Sequence, residues 1–201
     1  MAAAVGVRSP DGGSTTLTFP GGRRRVLATG RMLQAKGRPL EAWWLGSAEG
    51  WQTALVCEGE SDSLAALTAL RGSPEIAGLR SLPVVCVPGA GFPAERLVAG
   101  LAEQDIASAL LAFDPDEPGR AYGARVAEAL FRAGIRSLPV GVPEPDLAGW
   151  LASLPAGERG NQLAHRLCDA ELSAPTAADF ERRREIAYHR ERLAELQAGT
   201  T

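Results

Sequence analysis

Lysine is almost absent from the chain. Of 21 basic residues only Lys36 is lysine, and the rest are arginine. The bias accompanies abundant Ala, Leu and Gly, a pattern that genomic base composition imposes, so it is not evidence of phosphate recognition. Cysteine is scarce too. Cys57, Cys86 and Cys168 are far apart and no CxxC pair exists, which excludes a zinc ribbon or a disulfide framework. Cys57 and Cys86 lie inside apolar runs, where Cys behaves as a small hydrophobe, and a reducing cytoplasm is the expected compartment. Neither histidine, His165 nor His189, has a partner at metal-ligand spacing. No run of about 18 apolar residues occurs, so no membrane span is expected. The first residues lack the basic start and apolar core of a secretory signal.

What is present is a core and a charge gradient. Apolar residues make up 45% of the 201, enough for one ordinary domain with short extensions. The net charge of −3 conceals an uneven distribution. Residues 1–50 carry seven basic and three acidic side chains, whereas residues 51–150 carry seven and thirteen. An acidic centre beside a basic N-terminal segment suggests a metal site next to a surface that meets polyanions.

Residues 1–13 are Ala-, Gly- and Ser-rich and are expected to be flexible. Residues 14–50 read as a small β-rich or α+β unit, with strands at Thr15 to Phe19 and Leu40 to Leu45. Arg23, Arg24 and Arg25 within it are either a nucleic-acid grip or a solvated face. Trp43, Trp44 and Trp51 are expected to pack rather than stack on bases. From Ala54 an alternation begins. Short apolar strands at Ala54 to Cys57, Pro83 to Val87, Ala109 to Phe113 and Leu138 to Val142 are separated by helical patterns. The first helix is expected from an N-cap at Ser61 through Arg71, the third over Ala121 to Ala133. This spacing predicts an α/β fold with about four parallel strands covered by helices, over residues 51–155. Residues 156–201 read as a helical C-terminal extension, its second helix opening at Thr176 with Asp179 in a capping-box arrangement.

In a parallel sheet all strand ends fall on one edge, where ligands bind. Glu58 ends the first strand of the alternation, Asp114 and Asp116 follow the third, and Asp146 follows the fourth. Pro115 and Pro118 stiffen the acidic corner. Carboxylates brought together this way repel one another unless a cation or a proton lies between them. Taken singly the residues have plainer readings: Asp114 as a turn residue, Asp146 as an N-cap, Asp62 as a helix-dipole partner, and Gly59 and Gly89 as turn glycines. Arg120 and Arg125, near the acids, are either phosphate contacts or surface pairs.

The set E-G-E-S-D (Glu58 to Asp62) and D-P-D-E-P-G (Asp114 to Gly119), in this order at successive strand ends, resembles the Toprim domain. That domain is shared by bacterial primases, type IA and type II topoisomerases and several nucleases. The resemblance covers about residues 54–153. V-V-C-V-P-G, ending at Gly89, and the helix opened by Gly119 look like the primase branch. P-D-L-A-G-W-L (Pro145 to Leu151) resembles the closing motif of phage- and plasmid-type primases, with Gly149 where a second acid would be expected. The resemblance implies a Toprim-like Rossmannoid fold and Mg²⁺ (or Mn²⁺) held by Asp114, Asp116 and Asp146. Glu58 would be the general acid or base, with Gly59, Asp62, Gly89 and Gly119 in support. It implies nucleotidyl transfer on a single-stranded DNA template, with nucleotides as substrates and a helicase or polymerase as partner, in a chromosome or mobile element. A nuclease using the same acids and a non-catalytic binding module are the alternatives.

Overall fold

The computed structural model describes residues 6–8, 16–18, 24–26, 32–33 and 40–198. Arg23 and most of residues 1–39 lie outside them. Four short N-terminal strands, β1 (Gly6–Arg8), β2 (Thr16–Thr18), β3 (Arg24–Val26) and β4 (Met32–Leu33), pair antiparallel in sequence order. Arg24 and Arg25 lie on β3, and the side chains of this sheet are not described.

The main sheet has five strands in the order β5-β7-β6-β8-β9. They are β5 (Trp43–Leu45), β6 (Thr53–Glu58), β7 (Val84–Val87), β8 (Ser108–Ala112) and β9 (Arg136–Pro139). The last four run parallel to one another, as the alternation predicts. The central strands are apolar on both faces, because helices cover both. On one face Val56, Val85 and Leu111 pack under α2 (Ala94–Ala102) and α3 (Glu117–Ala133). On the other, Leu55, Leu110 and Leu138 pack under α1 (Gly59–Gly72), α4 (Leu147–Ser153) and α5 (Arg159–Ser173). Leu55, Leu70 and Leu97 are almost wholly buried, each worth about 1.5–3 kcal/mol of transfer free energy.

Four expectations are corrected. Trp43–Leu45 is not a strand of the N-terminal unit. It pairs antiparallel with β7 and forms an edge of the main sheet, and burial of Trp43 and Leu45 accounts for this. The helix α1 starts at Gly59 with Glu58 in the N-cap position, so Ser61 lies inside it. The helix α3 starts at Glu117 rather than Ala121, because the Asp116 side chain caps it by accepting from the Gly119 N–H at 2.7 Å. The fourth parallel strand is Arg136–Pro139, two residues earlier than its apolar run, since Arg136 and Ser137 pair with Ser108 and Ala109.

The C-terminal helices differ in kind. Leu163, Leu167 and Ala170 of α5 enter the core. Gly160 lets α5 approach α1 closely, since a Cβ there would stand 2.6 Å from the Ala69 carbonyl oxygen. Helix α6 (Ala177–Ala198) is anchored by Phe180, edge-on to Phe131 at 5.6 Å. Its start is capped as expected: the Asp179 N–H donates to Thr176 Oγ1 at 3.1 Å. Beyond that anchor Ile186 and Tyr188 are exposed.

The connection from β6 passes through α1 to β7 on one side, and the chain then returns through α2 to β8 on the other. This reversal is a topological switch point, and the crevice outside the carboxyl ends of β6 and β8 is where such sheets bind ligands. Among the described residues no helix is long and apolar enough to cross a membrane.

Candidate active site

Glu58 is the last residue of β6 and stands level with Val87, while Cys57 stands level with Ala112 of β8. The next two residues after β8 are Phe113 and Asp114, so the topology brings Glu58 and Asp114 to the same edge. The half-buried Glu58 accepts from the Ala90 N–H on Oε1 at 3.0 Å, and from the Asp114 backbone N–H. Gly89 (φ +128°) makes this possible by turning the chain after β7 through a conformation that a side chain disfavours. Gly59 has a φ of +77° at the start of α1.

Burial pushes the Glu58 carboxyl above its ordinary range, and the Asp114 carboxylate adds to the rise; the two backbone hydrogen bonds oppose it. Asp114 is also raised, chiefly by burial, with Asp116 and Asp146 adding repulsion. One oxygen on each residue, Glu58 Oε2 and Asp114 Oδ1, is buried without a hydrogen-bond partner. Such atoms are rare in folded proteins and call for an explanation.

Asp62 is more central than its place in the helix suggested. It is 5% exposed, and its Oδ1 accepts from the Ala148 N–H of α4 at 2.8 Å. Its carboxyl also shares a hydrogen bond with Asp114. Two ionised carboxylates contain no donor, so this contact is favourable only when one of the pair carries a proton. Burial first, then repulsion from Asp114 and Asp146, push Asp62 up to about 7. A carboxyl raised in the folded state binds protons that the unfolded chain has released. Its stabilisation is therefore complete below the unfolded value near 4 and lost as pH rises through about 7. In EDTA, the thermal midpoint of the wild-type protein relative to Asp62→Asn is expected to fall between pH 5 and 8. The amide mimics the protonated carboxyl and does not titrate. Parallel midpoints over that range would refute the raised Asp62 carboxyl.

Asp116 and Asp146 stand at the N-caps of α3 and α4. Asp146 Oδ1 accepts from the Gly149 N–H at 2.6 Å. The residue that occupies the place of a second acid is thus the one that holds Asp146, and a Cβ on it would stand 3.0 Å from Asp146 Oδ1. Gly119 is buried under the corner, where a Cβ would meet the Asp114 carbonyl oxygen at 2.3 Å. Arg120 is exposed and donates to the Pro115 carbonyl. A cleft of about 440 Å³ opens beside the corner between Phe113, Asp114, Arg120, Gly123 and Val140.

Among the described residues no three Asp, Glu, His or Cys side chains form a ready-made metal cage. The helix caps occupy one oxygen each of Asp116 and Asp146. The donor chemistry nonetheless fits a hard divalent cation. The groups are all carboxylates, two carry unpartnered oxygens, and Mg²⁺ needs only one or two protein carboxylates while keeping several waters.

No protein-family model and no curated protein sequence matches the chain. Solved structures do. A DNA primase domain from Pseudomonas aeruginosa matches with a TM-score of 0.54 at 17% identity, over 82% of this chain and 55% of that one. The Aquifex aeolicus primase, in a structure of its zinc-binding and RNA polymerase domains, matches with a TM-score of 0.50 at 16% identity, over 81% and 43%. The fold resembles that of DNA primase domains. The chain spans about half the length of these primase structures. Glu58 and Asp114 lie at the switch point of this primase-like fold, with Asp62 behind them.

Proposed function

We propose that the chain is a primase-type Toprim protein that joins nucleotides on a single-stranded DNA template with Mg²⁺ or Mn²⁺. The observation that carries this reading is the meeting of Glu58 and Asp114 at adjacent strand ends, with Asp62 of α1 beside Asp114 and two carboxylate oxygens left unpartnered. Asp114 and Asp116 would hold the cation, joined by Asp146. A bound cation would neutralise the phosphate and favour deprotonation of the attacking hydroxyl. The protein's own part is positional. Ala90 and the Asp114 backbone fix Glu58, whose raised carboxyl is suited to proton transfer nearer neutrality than an ordinary glutamate. Asp62, its carboxyl raised to about 7, would carry a proton beside Asp114 more readily than an ordinary aspartate. The basic N-terminal segment, including Arg23, Arg24, Arg25, and also Arg120 near the corner, would meet the template. A helicase or polymerase would supply the rest of a replication machine.

Labelled nucleotides, a single-stranded template and Mg²⁺ or Mn²⁺ test this directly. Extended products are expected, and Glu58→Gln should reduce them by roughly 10²-fold or more while template binding persists. Shortened substrate would instead establish a nuclease using the same acids. Neither product with any template or metal would overturn catalysis and leave a binding module.

A further inference from the structure

We infer that Arg125 is a positioning residue for Glu58, acting through the loop after β7. This rests on the reading of Glu58 as the acid–base group. The link is a single residue, Ala90, whose two flanking peptide groups are each held by one side chain. The Ala90 N–H donates to Glu58 Oε1 at 3.0 Å, and the Ala90 carbonyl accepts from Arg125 Nη2 at 2.9 Å. The loop is a turn closed by the Phe92 N–H on the Gly89 carbonyl at 3.0 Å and anchored by buried Phe92, while at its tip Gly89 carries a left-handed φ and Gly91 is exposed with no atom within 4 Å of where its Cβ would be. Within that turn, the Arg125 donor restrains the peptide group after Ala90 and so narrows the orientations open to the one before it, which carries the N–H.

Arg125 is itself restrained. Its guanidinium lies over the Tyr122 ring, 5.4 Å from the centroid, and Tyr122 packs against Phe113 with centroids 5.1 Å apart. Tyr122 is fully buried and carries no tether of its own, its hydroxyl lacking a hydrogen-bond partner. A guanidinium over an aromatic face keeps its planar fork oriented while its donors stay free. Arg125 shares helix α3 with Asp116, and that helix follows directly from Asp114. One helix thus carries the acidic corner at its start and the strut for the opposing glutamate two turns later. This gives Arg125 a role apart from the phosphate contact or surface pair that its composition suggests.

The test has one readout independent of catalysis. In ¹H–¹⁵N spectra, Arg125→Gln is expected to shift the Ala90 amide proton upfield and speed its exchange by roughly threefold to tenfold, the range of one net hydrogen bond. Arg125→Lys, which keeps a donor, should recover much of the wild-type shift. In the extension assay kcat should fall by a similar factor with the nucleotide KM unchanged, and the thermal midpoint should hold. An Ala90 amide that stays in place in Arg125→Gln overturns the inference whatever the activity. A raised KM with unchanged kcat overturns it too, by assigning Arg125 to substrate. Absence of extension in the wild-type protein would count against the proposed function alone, since the amide shift still decides the role of Arg125.

Discussion

Asp114→Asn is expected to lower metal-dependent activity by roughly 10³-fold, the scale of losing several kcal/mol of charge stabilisation at the reacting phosphate. The same change should make the metal-free protein more stable. Asp114 is held above its ordinary pKa by burial, faces Asp116 and Asp146, and shares a hydrogen bond with Asp62. Removing its charge relieves the repulsion it exerts on Glu58 and receives from Asp116 and Asp146, and the amide can still hydrogen-bond Asp62. Because the residue is only half-buried, solvent screens the gain, which is about 1 kcal/mol, or about 2–4 °C in EDTA for a chain of this size. Melting curves with and without Mn²⁺ check the pair of effects. A variant less stable than wild type in EDTA would show that Asp114 braces the fold instead of straining it, and unchanged activity would remove it from the site.

Gly119→Ala should have the largest effect on structure. Its Cβ would lie 2.3 Å from the Asp114 carbonyl oxygen and 3.0 Å from Asp116 Oδ1. Both are fixed, one as backbone and the other as the cap of α3. The clash can be relieved only by unwinding the first turn of α3 or by shifting the corner. We expect a loss of about 3 kcal/mol, a fall of about 6–12 °C in thermal midpoint, together with loss of activity. Gly100→Ala is the matched control. It lies within α2, a Cβ there meets no atom within 4 Å, and the change should stabilise by up to about 1 kcal/mol. Equal midpoints for the two variants would refute the close approach at Gly119.

The parallel sheet and the meeting of Glu58 with Asp114 were legible because the runs of β6 and β8 are apolar up to an acid, Glu58 and Asp114, and strand direction then fixes which ends coincide. Trp43–Leu45 carried no such information. Three residues are too few to show a period, and nothing local reveals pairing with β7 some forty residues on. Asp62 was underrated because its helical position explains an acid through the dipole alone. Its true partner, the Ala148 N–H, comes from a helix 86 positions away. The role of α5 was present in the spacing of Leu163, Leu167 and Ala170, a stripe at helical intervals that the absence of strands around it obscured. Tyr122 and the bridge from Arg125 to Ala90 left no signal, since a hydrogen bond to a carbonyl places no demand on residue type at the acceptor.

The switch in strand order also has a consequence for folding. Glu58 and Asp114 come together only after residues 59–113 have gone out through α1 and β7 and back through α2 to the other side of β6. In the unfolded chain the two carboxylates are separated by a long loop and form no joint site. A cation that requires both would bind the native state alone and deepen its stability in proportion to the logarithm of the cation concentration. Carboxylates that strain the empty protein would then become, in the loaded one, a thermodynamic lock on the completed sheet.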